Sequence, residues 1–526
     1  MIKVEGLKCS VRYDREELKA ALCKSLRVRK SDIRDFTVVK EALDARKKPR
    51  LYKVVTVKCS LYPDEDGVLK KCVGKASRAE QRPYELPENR YNGKYRPIVV
   101  GAGPGGLFGA LVLAKAGLNP LVIEGGKASV SRKEDILSFC NGGAFLPQSN
   151  IQFGEGGAGM FSDGKLNTGT KDIRHRFIIE TMIRCGAPAE IGYLAKPHVG
   201  SDYLGAVSSA IREEISALGG SFFFETRLSG LRMENGHLAA VEVEREGKKE
   251  EISCDRLLLA VGHSARNTVE TLFSLGMEME RKPFSVGARI EHLQREIDIA
   301  QFGRPYPGLT ADYKLSAHLE NGRSVYTFCM CPGGVVVPAA SEADAVVTNG
   351  MSEWARDTEK ANSALLVSVR PDDFPGEGPL AGIRFQRELE QKAFALGGGG
   401  YFAPAQRVED FLLGRKTEKW GKVLPSYRPG VTPCDLRELF PSYVTESLKQ
   451  ALPILGKKLK GFDDGDAVLT AVETRSSAPF RMVRDENGMS SLFGVFPAGE
   501  GSGYAGGIMS SAADGMRIAE KIMKNV

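Results

Sequence analysis

No stretch of the 526 residues comes near the roughly 18 uninterrupted apolar positions of a membrane-spanning helix, so no membrane span is expected. The opening residues, MIKVEGLKCSVRYDREELK, lack the apolar core of a signal peptide. The ten cysteines contain no C-x-x-C and no disulfide framework, which argues for a reducing, cytoplasmic setting. No metal site is expected. Basic residues outnumber acidic ones at one end only. Residues 1–96 hold 25 Lys and Arg against 14 Asp and Glu, so the chain's net +7 is an excess of +11 there and −4 elsewhere. Such a basic segment suits an acidic partner, nucleic acid or an anionic substrate, with a solvated lysine-rich surface as the simpler account.

Glycine is abundant, and it is concentrated. Tyr95 to Gly126 reads YRPIVVGAGPGGLFGALVLAKAGLNPLVIEGG: a short apolar strand, then Gly101, Gly103 and Gly106 in G-x-G-x-x-G spacing, an apolar helix, and a second strand ending in Glu124. Gly101 suits a tight turn, Gly103 lets backbone approach a pyrophosphate, and Gly106 lets helix and strand pack closely. The helix starts at Pro104, and the N–H groups of Gly105 and Gly106 are left unpaired to face phosphates. Glu124, about 20 residues past the glycines, sits where a carboxylate accepts from a ribose diol. This is the pattern of a dinucleotide site, with Gly125 and Arg132 following it.

A second dense stretch, NIQFGEGGAGMFSDGK (150–165), carries Gly154, Gly156, Gly157 and Gly159. Backbone lying flat on a cofactor explains that density, leaving Ser162, Asp163 and Lys165 for polar ligand atoms. Leu257–Gly262 reads as a buried parallel strand. The third glycine run, 499–507, opens a C-terminal helix at Ile508. The N-terminal 90 residues read as strand (Ile2–Val11), helix (Arg15–Leu26), a hairpin about the basic turn 44–50, and a short helix near Gly67–Val73. That order suggests a ferredoxin-like α+β unit followed by a linker, Ser77–Arg96.

With these motifs in hand, the chain resembles the large FAD-binding fold shared by glutathione reductase, fumarate reductase and D-amino-acid oxidase. It is more closely similar, nearly end to end, to a bacterial family of FAD-dependent dehydrogenases described as NAD(FAD)-utilising. The motifs that carry this are VGAGPGGLFGALVLAKAG, NIQFGEGGAGMFSDGKL, LAVGHSAR, KPFSVGARIEH, FCMCPGG, LAGIRFQRELE, AVETRSSAP and FPAGEGSGYAGGIMSSAADG. The resemblance implies an α/β fold. Its FAD-binding Rossmann-like, three-layer domain is assembled from 95–282 and 474–526, with part of 170–200 on the substrate side. An α+β substrate domain is inserted at 283–473, and the small ferredoxin-like domain spans 1–90.

The same resemblance assigns Gly101, Gly103, Pro104, Gly105 and Gly106 to the FAD pyrophosphate and Glu124 to ribose. Gly156, Gly157, Gly159, Ser162 and Lys165 fall along the pyrophosphate, ribityl chain and flavin, and the Leu228 backbone at adenine. Ala260 and Gly262 match a strand-end motif that here lacks its customary threonine. Gly499 and Glu500 match a motif in which aspartate usually contacts ribityl and phosphate, and Gly506, Gly507 and Ile508 would face the flavin pyrimidine.

FAD supplies the electron chemistry, so the chain must supply a clamp and a proton relay. Arg475 and Arg289 suit a carboxylate grip; His263, His292 and His198 suit proton movement; Lys165 suits the flavin edge. Arg475 and His263 rank first because they border cofactor segments. Cys329 and Cys331 on a regular strand would stand roughly 6.5 Å apart, too far for a disulfide that needs about 4 Å, unless Pro332-Gly333-Gly334 kinks the chain. Buried structural thiols are therefore expected, and the missing C-x-x-C and C-x-x-x-x-C argue against a disulfide reductase. The glycine run 397–400 follows no strand, so NAD(P)H would have to bind transiently in the substrate cleft. The expected function is an FAD-dependent oxidoreductase acting on a small molecule by hydride transfer through flavin N5. The alternatives are a flavin monooxygenase, a nucleic-acid-modifying flavoprotein, and a flavoprotein that docks an acidic redox partner through Arg46, Lys47, Lys48 and Arg50.

Overall fold

The computed structural model describes every residue except Pro63, Val73, Lys75, 80–82 and Val526. The expected end of the short helix at Val73 and part of the expected linker, 80–82, lie outside the described residues. The chain opens with β1 (Ile2–Cys9), α1 (Arg15–Leu26), β2 (Ile33–Asp44), β3 (Tyr52–Leu61), α2 (Glu65–Lys71) and β4 (Ala76–Arg78). Their sheet runs β2-β3-β1-β4 with every pair antiparallel, the ferredoxin-like order. Asp14 caps α1 by accepting from the Glu17 N–H, and Leu18, Leu22 and Leu26 bury one stripe on the sheet.

This unit is docked. The Glu41 N–H donates to the Tyr193 carbonyl at 2.7 Å, and the Glu41 carbonyl accepts from Ala195 at 2.8 Å. Lys48 in the basic turn donates to the Ala300 carbonyl, and the Pro49 carbonyl accepts from the Tyr306 hydroxyl. The segment expected as a linker is held as well. Tyr84 donates to Glu520 at 2.9 Å, Tyr91 to Asp255 at 2.9 Å, and the Arg90 N–H to the Met523 carbonyl at 2.8 Å. Its aromatic residues, not its composition, fix it to the surface.

Next come β5 (Ile98–Val100), α3 (Pro104–Lys115), β6 (Leu121–Ile123), α4 (Ser129–Cys140), α5 (Arg174–Arg184), α6 (Ser201–Ala217) and β7 (Ser221–Phe223). An antiparallel meander follows, β8 (Thr226–Glu234), β9 (His237–Arg245) and β10 (Lys248–Ser253), then β11 (Leu257–Leu259), α7 (Arg266–Ser274) and β12 (Met279–Arg281). The middle of the chain contributes β13 (Phe284–Leu293), α8 (Gln294–Phe302), β14 (Ser316–His318), β15 (Ser324–Cys331), β16 (Val335–Pro338), β17 (Thr348–Met351) and β18 (Lys360–Val369). It continues with α9 (Ala381–Leu396), β19 (Ala403–Arg407), α10 (Val408–Leu413), β20 (Val431–Pro433), α11 (Ser442–Lys458) and β21 (Val468–Glu473). The chain closes with β22 (Phe480–Met482), β23 (Val495–Pro497) and α12 (Ile508–Met523).

The five-stranded sheet runs β23-β11-β5-β6-β7, parallel throughout. From β5 the chain passes through α3 to β6 on one side, while β11 pairs on the other. The carboxyl end of β5 is thus a topological switch point, where open α/β sheets bind ligands. On one face lie α3 and α12. They touch through glycine: a Cβ at Gly109 would stand 3.2 Å from the Gly515 carbonyl, and one at Gly515 would strike the Gly105 carbonyl. Helix α3 is apolar all round because both its sides are covered. The meander and α7 cover the other face, sharing a core with Ile98, Val100, Leu257 and Leu259.

The segment 284–473 builds a seven-stranded sheet, β14-β15-β18-β13-β21-β19-β20, covered by α9 and by α11 through Val444, Leu448, Leu452 and Leu455. The β16–β17 ribbon ties the two halves together, with Val337 and Val347 in the same core as α3 and α12. No described helix is long and apolar enough to cross a membrane.

Candidate functional site

At the carboxyl edge of the parallel sheet, backbone replaces side chains. The chain leaves β5 through Gly101 (φ +102°), whose Cβ, if present, would collide with the Ala260 carbonyl. A Cβ at Gly106 would collide with the Gly101 carbonyl, so only glycine lets α3 start against this strand. The 154–159 loop crosses in front: the Gly156 N–H donates to the Ala102 carbonyl at 2.9 Å, and a Cβ at Gly157 would stand 3.1 Å from the Gly103 Cα. A Cβ at Gly159 would stand 3.0 Å from Ile508, the first residue of α12. Three segments far apart in sequence therefore converge between two helix starts.

At Gly125, Gly262, Gly506 and Gly507 an added Cβ would meet nothing within 4 Å. The backbone is thus open at the end of β6, beyond the end of β11 and just before α12. The first N–H groups of α3 and α12 have no intrahelical partners and carry the positive ends of their dipoles. Open backbone lining and two anion-friendly helix starts fit FAD.

Glu124 is buried, and its two oxygens accept backbone N–H groups from Ala102 (2.7 Å), Gly126 (2.8 Å) and Gly154 (3.0 Å). Of about four lone-pair positions, roughly one is left, so a ribose diol would share this carboxylate with the loop. Arg132 does not reach toward phosphate or ribose. Fully buried, it donates to the carbonyls of Asn150 (2.9 Å), Ile151 (2.7 Å), Gly154 (3.4 Å), Glu155 (2.7 Å) and Gly157 (2.9 Å). Burial holds its guanidinium down to about 10, with Glu124 and Glu155 opposing, so it stays charged at neutral pH.

Ser162 is also turned inward, donating to the Gly159 carbonyl at 2.7 Å and accepting from the Gly164 N–H at 3.0 Å. Asp163 is buried against Arg356 (2.9 Å) and Lys165 (2.6 Å), instead of facing a ligand. The Leu228 side chain lies in the core. Its backbone is in register with Val243, and its carbonyl accepts from the Thr268 hydroxyl at 3.3 Å, so that oxygen is engaged within the protein. The Ala260 N–H continues the ladder to the Val100 carbonyl at 2.8 Å.

At the far end, the Gly499 N–H is anchored on Asp514 at 2.8 Å. The Glu500 carboxyl is pushed up to about 7 by burial, against the pull of Lys282 and the Gly507 N–H. Burial in turn lowers Lys282, with Glu500 opposing. Lys282 escaped the sequence reading because it sits alone between β12 and β13. His263 bonds through Nδ1 to the Ser264 hydroxyl at 2.9 Å, which donates to Gln152 at 3.0 Å. Burial, with Arg475 and Arg266 beside it, holds His263 down to about 3. It is held neutral at physiological pH, so it has no imidazolium proton to give there.

The expected carboxylate clamps are already occupied. Arg475 pairs side-on with Glu390 (3.0 and 2.7 Å) and donates to Ser341. Glu390 also takes two bonds from Arg266, both at 2.8 Å, and Arg266 reaches Glu342 at 2.6 Å. Arg289 is fully buried on Glu473 (3.2 Å), Asn362 (3.1 Å from its Nε) and the Cys329 carbonyl (2.9 Å). Each guanidinium is a crosslink, because a buried charge is tolerated only when paired. Lys165 turns from the cradle toward β15, donating to Asp163 and to the Met330 carbonyl. His292 bonds to the Phe462 carbonyl at 2.8 Å, and His198 bonds to the Trp354 carbonyl at 3.1 Å while its ring stacks on that indole.

Comparison with known proteins adds an independent finding. The profile described as FAD-dependent protein, C-terminal domain-like, matches residues 283–476, and a domain of unknown function matches residues 1–60. A Clostridium beijerinckii protein, described as uncharacterized, is 44% identical over 99% of this chain and 98% of its own. Among solved structures, a flavin-dependent brominase is 13% identical with a TM-score of 0.38, covering 82% of this chain and 79% of its own. The E. coli quinol fumarate reductase subunit is 12% identical with a TM-score of 0.33, covering 82% and 69%.

Proposed function

The chain belongs to the FAD-dependent protein family, and from that premise we propose that it is an oxidoreductase holding FAD along the glycine cradle and exchanging a hydride with a small organic substrate. The observation that carries this reading is the convergence of the 101–106, 154–159 and 499–507 backbones at one switch point. When bound, FAD supplies a ring nitrogen that accepts or gives a hydride.

The chain's own residues would do the rest. The start of α3 would face the pyrophosphate, and Glu124, which pins the loop, would hold ribose with its remaining lone pair. Glu500, within the electrostatic influence of Lys282, would meet the ribityl chain. The start of α12, with the positive end of its dipole, favours negative charge on the pyrimidine edge. Substrate would enter between the cradle and the seven-stranded sheet, and NAD(P)H is the proposed transient donor at that cleft. The buried Arg266–Glu390–Arg475 cluster is a positioning element that fixes His263 and the β21 end behind this space.

An anaerobic screen of NADH, NADPH and small organic reductants against the FAD-loaded protein tests this. At least one donor class is expected to bleach the bound flavin well above the rate for free FAD. Equal rates for bound and free FAD with every donor would overturn the proposal.

A further inference from the structure

Strand β15 breaks its ladder at its end. Phe328 pairs with Ala364 and Cys331 with Asn362, so Cys329 and Met330 oppose the single residue Ser363. This is a β-bulge, and Cys329 takes φ +42°, left-handed backbone that a non-glycine residue adopts reluctantly. The regular strand that would keep the two thiols apart is therefore absent. The Cys331 thiol instead turns back on the bulge and donates to the Cys329 carbonyl at 3.3 Å.

Two cations hold the bulge. Arg289 donates to the Cys329 carbonyl at 2.9 Å and stands 3.6 Å from the Cys331 sulfur, while Lys165 donates to the Met330 carbonyl. Cys329 is half-buried, Cys331 fully buried, and both are free thiols. The less buried cysteine thus stands two residues from the fully buried one, across a bulge held in a cationic frame.

We propose that Cys329 and Cys331 form a dithiol–disulfide pair that exchanges with low-molecular-weight disulfides, Cys329 attacking and Cys331 resolving. The Cys329 thiolate bonds to one sulfur of the reagent, whose S–S bond breaks and whose other half leaves as a thiol after taking a proton. Deprotonated Cys331 then attacks the Cys329 sulfur and expels the second half. Two protein thiols are oxidised, and one disulfide is reduced to two thiols. The Cys331 hydrogen bond, with Lys165 and Arg289 nearby, lowers the Cys329 thiol, whereas Cys329 and burial raise Cys331, the order this division of labour requires. The pair acts without flavin, so its fate is separable from the FAD reading.

Trypsin releases both cysteines, and no others, in the peptide 324–356. After the native protein is incubated with excess oxidised glutathione and quenched with iodoacetamide, that peptide is expected to have lost two hydrogens and to carry no alkyl group. Dithiothreitol should restore two alkylatable thiols. Cys331→Ser should retain one glutathione on Cys329, and Cys329→Ser should acquire glutathione at Cys331 at least about tenfold more slowly. Wild-type protein whose two thiols remain alkylatable, or which accumulates glutathione without an internal disulfide, overturns the proposal. The wild-type result decides even if a variant fails to fold.

Discussion

A buried imidazole, with two guanidinium groups beside it, loses its proton readily, and His263 is that case. Its folded pKa, about 3, lies below the ordinary 6.5, so between those values the unfolded chain binds a proton that the folded chain refuses. Stability from this residue is complete above pH 6.5 and falls as pH drops. At pH 5 the loss reaches up to about 2 kcal/mol, from 1.5 units at roughly 1.4 kcal/mol each. His263→Asn should therefore show a shallower acid limb than wild type when denaturant midpoints are measured from pH 7 to 5. Parallel limbs would show that His263 is not held neutral. The sequence placed His263 beside a cofactor strand, but it could not show what surrounds it. Arg475 is paired with Glu390, 85 residues earlier, and Arg289 with Glu473, 184 residues later. Nothing local to either arginine announces such a partner, so two crosslinks read as free clamps.

Helices and strands were far easier to read. Helix α1, the buried three-residue parallel strands and the glycine-opened helices all declare themselves through periodicity and backbone freedom. Irregular elements did not. The alternation of Val325 and Thr327 suggests an unbroken strand and conceals the bulge at Cys329. Likewise Arg132, in a polar stretch, looked ready for phosphate but is the peg about which the 150–157 backbone is folded. Arg132→Met should leave five carbonyls short of a donor, a loss of about 3 kcal/mol or more. Hydrogen exchange should rise sharply across 150–160 and remain near wild type in β13 and β18. Unchanged protection of the loop would remove Arg132 from its role.

Across the whole molecule, the glycine cradle lies at the edge of one sheet, and two further sheets pack about that unit. The parallel sheet supplies the switch point, and the seven-stranded sheet walls the cleft with paired charges. The ferredoxin-like sheet docks through Glu41 and the turn 44–50. The central claim is that FAD lies where the 101–106 and 154–159 backbones approach each other. Gly103 offers a clean probe. Its φ of −76° suits any residue, and the nearest atom to an added Cβ is the Gly157 Cα at 3.7 Å, so a larger side chain disturbs the gap more than the fold. The decisive measurement is FAD titration of the flavin-free protein, followed by flavin fluorescence, for wild type, Gly103→Val and the surface control Gly169→Ala. Wild type and control should bind one FAD per chain, whereas Gly103→Val should bind on the order of 100-fold more weakly with unchanged melting of the flavin-free protein. Wild-type affinity in Gly103→Val would contradict the account.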